Sequence, residues 1–377
     1  MKKKTVIHIL ILSAAVLLRI AFFDYETLDY ENFLSQWVRF FRDNGGFAAL
    51  RYSVGNYNIP YLYFLAAFSY LPVSPLYLIK ALSCVFDFLL AFFSMKLVRK
   101  CGASEDRSLF CFYAVLFLPT VVVNGSLWAQ CDAIYVALGV AGLYYALDDR
   151  PILSMLFMAL SFGYKLQAVF ILPVCILLLI MKKYKIWHFA LFPLFYLVQI
   201  LPACLLGRPL LSALTLYTDQ LGTVGSAPNY NAPAFNALTH GSGSIAAAFI
   251  AMVMLFCIAY ILRNRLDNRA FLVLAVLMVT LIPYLLPHMH DRYFFAADVL
   301  SVALACSMTG IRFGSVLFTA LCQQFASFIC YLAYLKTYYI PLGRIYLTND
   351  RGAVAVLIAL LIYAVTLAFE TRLIEDK

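Results

Sequence analysis

The chain has 377 residues, 64% of them hydrophobic and 12% charged, against about 25% charged in ordinary soluble domains. A composition this apolar excludes a soluble enzyme and a disordered chain, and about 240 apolar residues suffice for about a dozen membrane crossings. The net charge of +9 reads as orientation rather than nucleic-acid binding, because Lys and Arg are retained on the cytoplasmic side of membrane chains.

The run from Thr5 to Phe23 follows Met1-Lys2-Lys3-Lys4. It lacks a signal-peptide cleavage pattern and is long enough to span, so it reads as a retained first helix with a cytoplasmic N-terminus. Apolar runs then predict an all-α polytopic membrane protein of about 12 transmembrane helices, near 5–23, 75–97, 107–123, 133–147, 151–164, 166–181, 186–205, 244–262, 270–286, 295–310, 314–334 and 353–370. These form a single transmembrane domain over 1–377, and the even count returns the C-terminus to the cytoplasm. Alternation puts Lys2–Lys4, Lys96, Arg99, Lys100, Arg107, Arg150, Lys182, Lys183, Lys185, Arg263, Arg265, Arg269, Arg312, Arg372 and Lys377 inside, 17 of the 28 cations. The stretch 59–71 is left at the surface, since making it a span would place Lys182, Lys183 and Lys185 outside. The ten cysteines lack paired spacing and read as small packing residues.

Length is concentrated in the extracytoplasmic loops: 24–74, 124–132, 206–243, 287–294 and 335–352. Long loops on one side usually carry function. The first opens with Asp24, Glu26, Asp29 and Glu31. It continues into a juxtamembrane helix with Phe33, Leu34, Trp37, Val38, Phe40 and Phe41 on one face, closed by Gly45-Gly46. Asp29 is either the N-cap of that helix or a general base at the water–lipid boundary.

Ionisable groups in spans are costly and need a partner or a task. Lys80 and Asp87 share a helix face and are expected to form a bridged structural pair. Lys165, at the turn Tyr164-Lys165-Leu166-Gln167, either meets an anion or snorkels to the interface. In Pro287-His288-Met289-His290-Asp291-Arg292-Tyr293, two prolines break a helix near two imidazoles and a guanidinium. This is a phosphate-binding turn or an ordinary polar one; two His and one Asp are an incomplete metal set. The polar clusters Asn56-Tyr57-Asn58, Trp128-Ala129-Gln130-Cys131-Asp132 and Asn229-Tyr230-Asn231-Ala232-Pro233 either bind sugar hydroxyls or cap helices.

Together these segments resemble the GT-C membrane glycosyltransferases, specifically bacterial relatives of the eukaryotic GPI mannosyltransferase II family. The carriers are Asp29-Tyr30-Glu31-Asn32-Phe33-Leu34-Ser35-Gln36-Trp37, Asn56-Tyr57-Asn58-Ile59-Pro60-Tyr61, the 128–132 and 164–167 segments and the 288–293 turn. Lys165-Leu166-Gln167 also looks like a motif of the dolichyl-phosphate-glucose-dependent enzymes. The resemblance, which covers about residues 24–300, implies inverting transfer of one hexose, mannose by the family comparison, from a polyprenyl-phosphate-sugar donor to a glycan, glycolipid or cell-envelope acceptor at the extracytoplasmic face. No cofactor or metal is expected. Asp29, with Asp24 as alternative, is the expected base; Lys165, Arg292, His290 and His288 are expected at the donor phosphate; Asn56, Asn58, Trp128, Gln130, Asp132, Gln167 and Tyr293 are expected at the sugar or acceptor. The expected partners are these substrates and membrane lipid, with an additional subunit also compatible. The chain departs from the family at Ala129, usually Gly, at Asp291, where Glu is commoner, and in spreading its first-loop carboxylates apart. The competing expectation is a transporter or flippase of a lipid-linked glycan, which would need charges near the bilayer midplane; here they crowd the outer boundary.

Overall fold

A computed structural model describes residues 3–222, 225–239, 244–338 and 349–372. Lys2, Lys377 and parts of the expected loops 206–243 and 335–352 lie outside the described residues. The chain folds as α1 (Lys3–Ile20), α2 (Ser35–Asp43), α3 (Ile59–Phe68), α4 (Pro75–Lys100), α5 (Glu105–Leu116), α6 (Pro119–Val122), α7 (Asp132–Leu147), α8 (Pro151–Tyr164) and α9 (Val174–Ile180). It continues with α10 (Leu191–Leu205), α11 (Leu210–Leu214), α12 (Leu216–Gly222), β1 (Asn229–Tyr230), α13 (Phe235–Thr239), α14 (Ile245–Leu262) and α15 (Asn268–Leu285). After β2 (Met289–His290) come α16 (Phe295–Ser307), α17 (Gly310–Tyr338) and α18 (Asn349–Glu370).

A helix lies at each of the twelve expected spans, but they are not twelve full-length crossings. Among the described residues six are long and apolar enough: α4, Ile186–Leu205 containing α10, α14, α15, α17 and α18. A seventh arises if α5 and Pro119–Leu127 are one span bent by 45°, the bend falling where Pro119 cannot donate to the helix ladder. α1, α7, α8, α16 and the run Leu166–Ile180 are apolar but shorter. α3 is buried under α2 and against α10, and its ten residues rise only about 15 Å, half a hydrocarbon core.

The helix ends are set by local chemistry. Ser104, Ser244 and Asp267 accept from backbone N–H groups in the first turns of α5, α14 and α15, satisfying donors that the helix leaves open. α2 stops at Gly45 and Gly46, both left-handed at φ +83° and +62°, as a C-terminal glycine allows. The face expected to rest on lipid is divided: Leu34, Val38 and Phe41 are buried in a core with α3, whereas Phe33 and Trp37 face a cavity.

The expected Lys80–Asp87 pair is not formed. Lys80 Nζ donates to the carbonyls of Phe22, Phe23 and Tyr25 at 2.7, 3.1 and 2.6 Å, clamping the end of α1. Asp87 instead pairs with the buried Arg19 of α1 at 2.8 Å. Arg19 lies inside the apolar run Thr5–Phe23, and its partner is 68 residues away on another helix, a pairing that spacing along one run cannot reveal.

Contacts sort the connections into two opposite ends. At one, Lys100 meets Asp148 at 2.6 Å, Lys183 meets Asp149 at 2.7 Å and Arg312 meets Glu370 at 2.7 Å. At the other, the first loop, residues 128–132, 164–167, 229–231 and 288–293 gather around one cavity.

Candidate active site

The cavity, about 640 Å³ and partly open, is lined among others by Asp29, Trp128, Gln130, Lys165, His290 and Arg292. Its size falls within the usual range for small-molecule sites, roughly 300–1,000 Å³. Asp29 enters from the turn before the π-helix Tyr30–Leu34, in helical conformation and without capping that helix. The N-cap alternative is thereby replaced: its Oδ2 accepts from Trp128 Nε1 at 3.0 Å and Gln130 Nε2 at 2.7 Å, while Oδ1 accepts from Tyr334 OH at 3.2 Å. Asp24 lies elsewhere, exposed and accepting from Tyr77 OH at 2.6 Å.

The Trp128 segment follows a second π-helix, Val123–Leu127, and is fastened to the first loop by Thr27 Oγ1 donating to the Trp128 carbonyl at 3.2 Å. Ala129 adopts φ +61°, the left-handed region where a Cβ costs about 1–2 kcal/mol; this accounts for glycine being usual there in the resembled family. Tyr334 stacks on Trp128 at 4.3 Å and Arg292 lies over the indole at 5.2 Å. A tryptophan thus fixes the carboxylate through its N–H and carries the guanidinium on its ring.

Lys165 is not a snorkelling side chain. It is buried, its Nζ 2.5 Å from Asp132 Oδ1, and Asn124 Nδ2 donates to the other Asp132 oxygen at 2.8 Å. Asp132 therefore stands behind Lys165 and outside the cavity lining. Gln167 and Tyr293 line the cavity, and Gln167 Oε1 is buried without a partner. Asn56 lines it too, whereas Asn58 does not: it is buried, accepting from Ile59 N at 2.8 Å and donating to Tyr196 OH at 3.0 Å. Asn58 is spent on capping α3.

The 288–293 turn is held as a strand. β2 pairs in parallel with β1, aligning Met289 with Asn229 and His290 with Tyr230, so two clusters far apart in sequence become one wall. His288 is left-handed at φ +60° and its Nδ1 lies 2.6 Å from the Ala227 carbonyl. His290 stacks on Tyr230 at 4.6 Å; burial, then Arg292 and Lys165, depress its pKa to about 4, leaving a neutral imidazole with one donor and one acceptor. Burial pushes the Asp291 carboxyl up to about 7 against the pull of Arg292, 3.7 Å away. Arg292 Nε and Nη1 are buried with no hydrogen-bond partner. Buried donors are rarely left so, and a guanidinium with open N–H groups suits bidentate phosphate.

Residues 66–181 match the family described as alpha-(1->6)-mannopyranosyltransferase, N-terminal domain. The match supports a mannosyltransferase-like membrane protein. It spans under a third of the chain and takes in Trp128, Gln130, Asp132, Lys165 and Gln167. Asp29, Asn56 and the 288–293 turn lie outside the matched segment of this mannosyltransferase-like chain, brought to it by the fold. No curated protein matches the sequence. Tyr334, Phe33 and Trp37 were not singled out from sequence: Tyr334 closes an apolar run read as a span, and the other two were assigned to a lipid-facing helix surface.

Proposed function

We propose that the protein is a GT-C glycosyltransferase that moves one hexose, mannose in the first instance, from a polyprenyl-phosphate donor to an acceptor hydroxyl at the extracytoplasmic face. The observation that carries this reading is a carboxylate and a guanidinium with open N–H groups held against opposite parts of one tryptophan in one cavity. The mannosyltransferase match to the segment supplying Trp128 and Lys165 supports the choice of sugar.

In the proposed step, the acceptor oxygen bonds to the anomeric carbon as that carbon's bond to the phosphate oxygen breaks. A single displacement inverts the centre. Asp29 takes the acceptor proton, and the bonding pair leaves with the phosphate, which gains a second negative charge. Arg292 receives that charge with its open donors. Lys165 adds the donors that Asp132 leaves free, and no metal is needed in this arrangement. Charge stabilisation of this kind is usually the largest contribution to such catalysis. His290 contributes a neutral hydrogen bond.

The test is purified protein in sealed liposomes with polyprenyl-phosphate mannose and mannoside acceptors, followed by mass spectrometry and by sidedness of the donor. Formation of polyprenyl phosphate and an elongated mannoside is expected. Donor that crosses a bilayer while remaining intact would establish a flippase instead. Asp29→Asn is expected to lower turnover by about 10²–10⁴-fold without raising the donor Kd; near-normal turnover would remove Asp29 from the role.

A further inference from the structure

The cavity has two chemically different walls. Lys165, Arg292 and His290 form one. Phe33, Trp37 and Asn56 belong to the other, the first two from the π-helix Tyr30–Leu34 and α2 that follow Asp29 and the third from the connection before α3. Asp29, Phe33 and Trp37 succeed one another at four-residue steps and line the same cavity, the first step passing through the π-helix Tyr30–Leu34 and the second leading into α2. Two such turns together are longer than one pyranose ring.

The indole of Trp37 is fixed in place. Tyr57 meets it edge-on at 5.3 Å and Phe33 lies 6.2 Å away. Gly55 passes beneath it at φ +62°, where a Cβ would lie 2.4 Å from Trp37 Cε2, so the chain makes room for the ring where any side chain would expel it. Tyr57 OH donates to Gln130 Oε1 at 3.2 Å, and Gln130 in turn donates to Asp29. The aromatic row is thus continuous with the carboxylate. Phe33 is 50% exposed and lines the cavity, as does the amide of Asn56.

Resting on the transfer reading above, we infer that the acceptor is a glycan of at least two sugars, its reacting ring near Asp29 and Phe33 and its next ring on Trp37. A pyranose has an apolar C–H face and a polar rim, which fits an aromatic platform flanked by Asn56. A prenyl chain has no hydrogen-bonding groups for that amide. Trp37 is then a specificity-determining residue for acceptor length.

The experiment compares α-mannobiose with methyl α-mannoside as acceptors, using polyprenyl-phosphate mannose and the full chain. A ring contact as strong as an aromatic pair corresponds to about a tenfold ratio. Wild type is expected to prefer mannobiose by about tenfold in kcat/KM, Trp37→Ala to bring the ratio near one, and Trp37→Phe to retain part of it. A wild-type ratio near one overturns the inference while leaving the transfer reading intact. So does a Trp37→Ala protein that keeps the ratio and loses donor affinity, which would place the prenyl chain on this wall. Absence of transfer to either acceptor, with donor intact, overturns the transfer reading and this inference together.

Discussion

Asp29 is held by three donors from two distant parts of the chain, Trp128 and Gln130 on one oxygen and Tyr334 on the other. The Trp128 and Gln130 bonds fix the carboxylate plane, and Tyr334 occupies a position that an acceptor hydroxyl would take. Asp291 tunes the opposite wall. Burial has moved its titration to about 7 beside Arg292, so it becomes anionic and cancels part of the guanidinium charge as the pH rises through that value. Donor affinity is therefore expected to weaken from pH 6 to pH 8, although a phosphodiester keeps one negative charge throughout. Asp291→Asn is expected to flatten this dependence; binding titrations across the range check it, and an unchanged slope in the variant would dissociate Asp291 from donor binding. Single residues were legible where polar groups interrupted apolar sequence, as at Trp128–Asp132 and His288–Arg292. Tyr334 was not, since nothing local distinguishes a tyrosine that packs from one that donates to a carboxylate.

At the scale of elements, buried ions join the first helix to its neighbours. Arg19 of α1 donates to Asp87 of α4 at 2.8 Å and to the carbonyls of Ala15 and Leu116 at 3.1 and 3.0 Å. Lys80 of α4 holds the three carbonyls that lead into the first loop. Together they set where that loop departs, and Asp29 follows four residues after Tyr25. Removing one member of a buried pair leaves an uncompensated charge and costs about 3–5 kcal/mol. Arg19→Met alone is expected to destabilise by that amount in thermal unfolding in detergent, and Arg19→Met with Asp87→Leu to recover most of it. Equal losses in the single and double variants would mean the pair does not couple α1 to α4. Periodicity located α1 and α4, but the choice between Asp87 and Lys80 as partners is made by helix packing, which spacing along one helix cannot reveal.

For the whole molecule, the ion-paired connections of Lys100, Lys183 and Arg312 lie at one end and the cavity at the other, and the proposed orientation puts the first in the cytoplasm. Labelling tests that orientation. On a background lacking the native cysteines, Ser53→Cys at the cavity end is expected to react with an impermeant maleimide in intact cells, and Asp106→Cys only after permeabilisation. Both positions are exposed. The opposite pattern would invert the topology and place the cavity in the cytoplasm. The helix positions were legible because apolar runs report them directly. Their lengths were less so, since loops and helix ends share the same apolar composition in this chain.

Those unequal lengths bear on where the chemistry takes place. α7, α8 and α16, whose ends present Asp132, Lys165 and the Arg292 turn, have 16, 14 and 13 residues and rise about 24, 21 and 20 Å, against about 30 Å of hydrocarbon. An ion pair holds the end of α7 level with the foot of the long α4, so the deficit of α7 accumulates at its far end, where Asp132 meets Lys165. In a bilayer of that thickness the floor of the basin would lie several ångströms below the headgroup plane. On the proposed transfer reading, a lipid phosphate would sink to it rather than be lifted out, its tail never leaving oil.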